Sequence, residues 1–159
     1  MEGTALMSHH EAENIAIAVG KRLTEQDALA KAYGIELEEI RPGYARLGMT
    51  VNNTMVGPHG VCRGVFTYAL GDTACGFAAN SWNLNTMAVG VDTFYLATAA
   101  LGERLTAEAR ETGTVGRNAI YDVTISDRKG RLIVVLRCQC RLAKGRIVDD
   151  LPALRGDAA

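Results

Sequence analysis

From Gly64 to Asn80 the chain reads GVFTYALGDTACGFAAN, with no lysine, arginine or glutamate. A segment that is apolar or small on every side is a helix with no face suited to water, so it has to be enclosed. This requirement constrains the fold more than any other feature. The rest of the chain must wrap the helix, or a second copy must cover what is left bare. One formal charge, Asp72, interrupts the segment.

The flanking sequence supplies a wrapping layer. Ser8 and Glu11 have the spacing of a capping box. Ile15, Ile17, Ala18, Leu23, Ala28, Leu29 and Ala32 follow at roughly helical intervals, and Gly34 is a stop signal. The pattern predicts a helix near 9–33, bent or broken around Gly20. Ile35–Ile40 and Tyr44–Val51 predict two strands joined by the Pro42-Gly43 turn. In the second, Ala45, Leu47 and Met49 alternate with Arg46, Gly48 and Thr50. Asn52–Val61 reads as a loop. After the apolar helix, Thr86–Leu96, Arg104–Thr114, Asn118–Ser126 and Arg131–Leu142 predict four more strands, the last three as an antiparallel meander broken at Gly116-Arg117 and Asp127–Gly130. The expected fold class is α+β: an antiparallel sheet curled around a central buried helix, plus an N-terminal helix. The expected organisation is one domain over 1–159, with a core at about 34–143 and a tail over 145–159 that frays.

Composition narrows the function classes. The hydrophobic share is 48%, the charged share 22% and the net charge −1, which gives no support for nucleic-acid binding. No apolar run is long enough to span a bilayer, and the N-terminus lacks the pattern of a secretory signal, so a cytoplasmic location is the default expectation. Cys62, Cys75, Cys138 and Cys140 form no CxxC pair and read as reduced, mostly buried thiols. No metal or cofactor site is expected.

Asp72 is the leading candidate for chemistry. A carboxylate enclosed without a partner costs several kcal/mol, roughly, so it finds partners or shifts its pKa. It is either functional or the cap of a shorter helix beginning at Thr73. The first N–H groups of the helix are a second candidate, because they lack intrahelical partners and would polarise a carbonyl oxygen. Gly64 either leaves that end open to a ligand or relieves crowding there. Gly64 and Asp72 stand eight residues apart, roughly 12 Å at 1.5 Å per residue. One carbonyl cannot touch both, so if both act on it, Asp72 comes from another chain and the site lies at a subunit interface.

These residues carry a resemblance. His59–Ser81, HGVCRGVFTYALGDTACGFAANS, is similar to the central segment of hot-dog acyl-CoA thioesterases of the phenylacetic-acid-degradation type. Ala28–Val51, Gly102–Ala107 and Tyr121–Val123 extend the similarity over about residues 12–143. It implies a hot-dog fold, and a homodimer often paired into a homotetramer, hydrolysing aryl- or arylacetyl-CoA without a metal or cofactor. Asp72 falls where that family has its nucleophile or general base, and Gly64 where a backbone N–H meets the thioester carbonyl, with Val65 next to it. The sequence departs from the family pattern at three positions. Arg63 replaces a histidine, Val65 replaces a glycine, and Gly57 stands where an asparagine usually helps hold substrate or water.

Other residues keep two readings. His59 is a polar group for the site or a solvated loop histidine. Arg63 binds substrate, a carboxylate or a CoA phosphate, or simply faces solvent. Thr73 hydrogen-bonds substrate or its own helix. Tyr68, one turn before Asp72, reaches the site or is core. Arg117, Arg128, Lys129, Arg131, Lys144 and Arg146 meet CoA phosphates or keep turns soluble. Trp82, Phe94 and Tyr95 line an acyl pocket or pack the core. Two rivals to hydrolysis remain: an acyl-thioester hydratase or dehydratase, and a non-catalytic acyl-CoA-binding protein. The altered helix start favours the latter; a retained Asp72 opposes it.

Overall fold

The computed structural model describes residues 7–156. The first six residues, part of the N-terminus read as lacking a signal, and the last three of the tail lie outside the described residues.

The N-terminal helical pattern resolves into α1, His9–Gln26, and α2, Ala28–Tyr33. The capping box is present: the Glu11 N–H donates to Ser8 Oγ at 3.2 Å and the Ser8 N–H to Glu11 Oε2 at 2.7 Å. The break falls at Asp27, not at Gly20 as the sequence suggested. Asp27 ends α1 and caps α2, its Oδ1 accepting the Ala30 N–H at 2.9 Å. Gly20 instead lets α1 lie close on the sheet, since a Cβ there would come within 2.7 Å of Leu37 Cδ2 and 3.0 Å of Ile40 Cγ2.

Six strands among the described residues follow: β1 Glu36–Arg41, β2 Tyr44–Thr50, β3 Thr86–Tyr95, β4 Arg104–Val115, β5 Asn118–Ser126 and β6 Leu132–Leu142, with the apolar helix, α3 Gly64–Asn80, between β2 and β3. They form one antiparallel sheet in the order β1-β2-β4-β5-β6-β3, so the predicted meander is present and β3 returns to the edge beside β6. The sheet curls until every strand touches α3. Alternation directs the side chains: Ala45, Leu47 and Met49 of β2 oppose Ala109, Ala107 and Leu105 of β4, and all six are buried. This is the hot-dog fold. Cys62, Cys75, Cys138 and Cys140 are free, buried thiols.

The tail expected to fray is instead tied to the core as far as it is described. Asn83, at φ 57°, donates to the Val148 and Leu151 carbonyls at 3.0 and 2.9 Å. Arg155 grips Glu111, which also accepts from Trp82 Nε1 and the Tyr121 hydroxyl. A tail of mixed composition gives no sequence signal for such contacts.

α3 packs tightly on the sheet at Gly71, where a Cβ would lie 2.6 Å from Leu136 Cδ1 and 3.3 Å from Ile125 Cδ1. Gly71→Val is therefore expected to destabilise the fold by about 1–3 kcal/mol through overpacking, read as a lower denaturant midpoint at an unchanged m-value.

Candidate active site

The loop before α3 is built by backbone hydrogen bonds. The Gly57 N–H donates to the Val61 carbonyl at 3.0 Å, and the Cys62 and Arg63 N–H groups donate to Ala99 and Met55 at 2.8 and 2.9 Å. These bonds deliver Arg63 as the residue that starts α3, in an extended conformation with no side-chain cap. Gly57, His59, Arg63 and Gly64 line one cleft there. The Arg63 stem lies on Gly57: a Cβ at position 57 would be 3.2 Å from Arg63 Cγ. Arg63 and His59 are exposed, and among the described residues neither side chain has a hydrogen-bond or ion-pair partner. A cation at the positive end of a helix has an unfavourable neighbour unless an anion joins it.

At Gly64 the structure shows the crowding that the sequence offered as one of two readings. The first N–H groups of α3 have no intrahelical acceptor, yet the space beside Gly64 is not empty. The ring of Tyr95, the last residue of β3, rests on it, and a Cβ at Gly64 would meet Tyr95 Cε1 at 2.8 Å. Val65 is 61% exposed, on the uncovered side of the helix start.

Asp72 lies in the middle of α3. A helix running unbroken from Gly64 excludes its reading as the cap of a shorter helix. Gly64, Tyr68 and Asp72 recur at intervals of four, so they align on one face, and all three are only partly buried. Tyr68 and Asp72, with Val65, Ala69 and Gly76 beside them, belong to the part of α3 that the sheet leaves bare, while Gly64 at its start is covered by Tyr95. Among the described residues the Asp72 carboxylate has no hydrogen-bond or salt-bridge partner. Burial pushes its pKa up, and the nearby charge of Asp27 pushes it further. Tyr68 is raised too, mainly by burial and then by Asp72. Sequence reasoning missed Asp27; its place before Ala-Leu-Ala-Lys marks it as a cap, but nothing local relates it to a residue 45 positions away.

The remaining candidates separate. Thr73 is buried and its hydroxyl donates to the Ala69 carbonyl at 2.7 Å, so it serves the helix and does not join the Asp72 face. Arg117 binds the Leu142 carbonyl at 2.7 Å. Arg128, Lys129 and Arg131 line a separate cleft with Gly102, Glu103, Arg104 and Asp127, where Arg131 is paired with Asp127 at 3.0 Å. Trp82 is engaged by Glu111 and Arg155. Phe94 lines a hollow with Asp122 and Arg137, a salt-bridged pair.

Comparisons with known proteins bear on the family and the fold. The sequence model of the thioesterase superfamily matches residues 59–134, from the end of the loop through α3, β3, β4 and β5 to the start of β6. The acyl-coenzyme A thioesterase PaaI of Escherichia coli (strain K12) is 29% identical over 144 residues, covering 91% of this chain and 99% of that protein. A putative esterase of Archaeoglobus fulgidus is 30% identical over 131 residues, 80% of each chain. The solved structure of the E. coli PaaI protein from the phenylacetic acid degradation operon superposes with a TM-score of 0.83 at 28% identity, over 85% of this chain and 98% of that one. By sequence and by fold, the chain belongs to the thioesterase superfamily, among the hot-dog acyl-CoA thioesterases of the phenylacetic-acid-degradation type.

Proposed function

We propose that the protein hydrolyses aryl- or arylacetyl-CoA thioesters, with Asp72 as the catalytic carboxylate and with active sites formed between two copies of the chain. The observation that carries this reading is the partly exposed, unpartnered Asp72 on the bare stripe of α3, set in a fold shared with acyl-CoA thioesterases. An enclosed carboxylate is costly, and one with raised pKa and no structural partner is a candidate for function. The operon of the E. coli relative supports an arylacetyl group.

The thioester carbonyl docks on the N–H groups of Gly64 and Val65, which stabilise the oxyanion as it forms. Tyr68 stands between Gly64 and Asp72 on the same face, so the carboxylate that reaches this carbonyl is Asp72 of a second copy. Either Asp72 attacks the carbonyl carbon, the C–S bond breaks, and water then cleaves the mixed anhydride; or Asp72 takes a proton from a water that attacks directly. CoA leaves as the thiol, and the acyl group as the acid. Arg63, His59 and Tyr68 border the substrate path; the cation of Arg63 faces the developing negative charge.

The surface supports pairing. β3 is hydrogen-bonded on one side only, to β6, and its exposed residues include Met87 at 59% and Val89 at 63%. An open apolar edge of this kind attracts another strand. A dimer across β3 and the α3 stripe covers both, and two dimers then form a tetramer.

Asp72→Asn is expected to lower kcat by about a hundredfold to ten-thousandfold on phenylacetyl-CoA, followed as released thiol. In the wild type the acid limb of the pH–rate profile lies above the usual aspartate pKa of about 3.9, because the working form is ionised and the pKa is raised. A limb at or below that value, or full activity in the variant, would remove Asp72 from the mechanism. The stability effect has the opposite sign. A raised folded pKa means the folded state binds more protons than the unfolded, so the charge of Asp72 costs stability above that pKa. Asp72→Asn is accordingly more stable than wild type at neutral pH, with the gain vanishing as pH falls below the unfolded pKa.

Sharing of the site is tested by mixing. Asp72→Asn and Gly64→Val chains are each inactive alone, but a mixed dimer has one intact site. Random reassociation should restore about a quarter of wild-type activity; no recovery in proven mixed dimers would place both groups in one chain.

A further inference from the structure

We infer that Tyr95 selects the acyl group, its ring forming the wall against which the substrate's acyl part lies. The inference rests on the proposed docking of the thioester carbonyl at Gly64.

The contact is defined by what Gly64 lacks. Any side chain at that position would put its first carbon 2.8 Å from Tyr95 Cε1 and 2.9 Å from Cζ. Glycine at the helix start therefore lets an aromatic ring and a set of free amide donors share one small space. A carbonyl oxygen that reaches those donors brings its acyl carbons alongside the ring.

Tyr95 is poorly explained as packing alone. It closes β3 opposite Val134 at the edge of the sheet and stays 55% exposed. Among the described residues its hydroxyl has no hydrogen-bond partner, whereas a tyrosine serving the core usually buries its ring and pairs its hydroxyl. Tyr121 shows the contrast within this protein: it is fully buried with its hydroxyl on Glu111. Tyr68, one turn beyond Gly64 on the bare stripe, extends the aromatic lining toward Asp72. A flat acyl group gains ring contact from such a wall in the preferred offset or edge geometries, and a flexible aliphatic chain gains only ordinary dispersion.

The test compares kcat/KM for phenylacetyl-CoA and hexanoyl-CoA in wild type, Tyr95→Leu, Tyr95→Met and Tyr95→Phe, each checked for folding by circular dichroism. The phenylacetyl-to-hexanoyl ratio should fall about threefold to tenfold in the Leu and Met variants and stay within about twofold of wild type in Phe. An unchanged ratio in a folded Leu or Met variant, or an equal loss on both substrates, would overturn the role. Calorimetric titration of both acyl-CoAs into the Asp72→Asn protein, with and without Tyr95→Leu, reads the same discrimination without turnover. A ratio shift in binding alongside a wild type that hydrolyses neither substrate would overturn hydrolysis and keep the Tyr95 contact. Turnover abolished by Asp72→Asn, with no ratio shift from Tyr95, would do the reverse.

Discussion

The grip of the sheet on α3 is the constraint from which the other features follow. A helix without a polar face cannot rest on a flat sheet, so the strands curl until each touches it, and Gly71 lets the helix sink onto Leu136 and Ile125. A single curled sheet still has an open side. What remains uncovered is a strip of α3 bearing Val65, Tyr68, Ala69, Asp72 and Gly76. Fold and site are thus set by one fact: the surface the sheet cannot close over is where an unpaired carboxylate stands.

That carboxylate is held against its own stability. Several charged side chains here are matched: Arg137 with Asp122 at 2.7 Å, Arg104 with Glu36 and Glu38, Arg155 with Glu111. Asp72 receives no such partner among the described residues, and Asp27, which must be acidic or polar to cap α2, adds a like charge nearby. Removing the charge would relieve both burdens. A group kept in a position that penalises its ionised form fits a role that needs a reactive carboxylate, in keeping with the trade between stability and activity seen at functional sites.

How much of this was legible in the sequence depended on how local each signal was. The strands and α3 could be read because alternation and unbroken apolarity are local, and the capping box because its two members lie three residues apart. The break in the first helix was misplaced because glycine is both a helix weakener and a close-packing residue, and only the packing of Gly20 on Leu37 and Ile40 tells which. Thr73 could not be assigned without knowing that its hydroxyl turns back on Ala69. The tail, the Asp27 field and the ring over Gly64 all join residues far apart in sequence, where no periodicity can announce them.

The same distinction bears on two departures from the family pattern. Read separately, Gly57 and Arg63 are two losses at a site that usually carries an asparagine and a histidine. In the fold they are in contact, the Arg63 stem lying across Gly57 with 3.2 Å from Cγ to where a Cβ would be. A side chain at position 57 would require that stem to shift by a few tenths of an ångström, so the glycine eases the arginine's course. The two changes are therefore neighbours in space, a glycine on the loop beside a cation at the helix start. Its charge adds to the positive end of α3, making the cleft more favourable to an oxyanion or another negative group than the dipole alone.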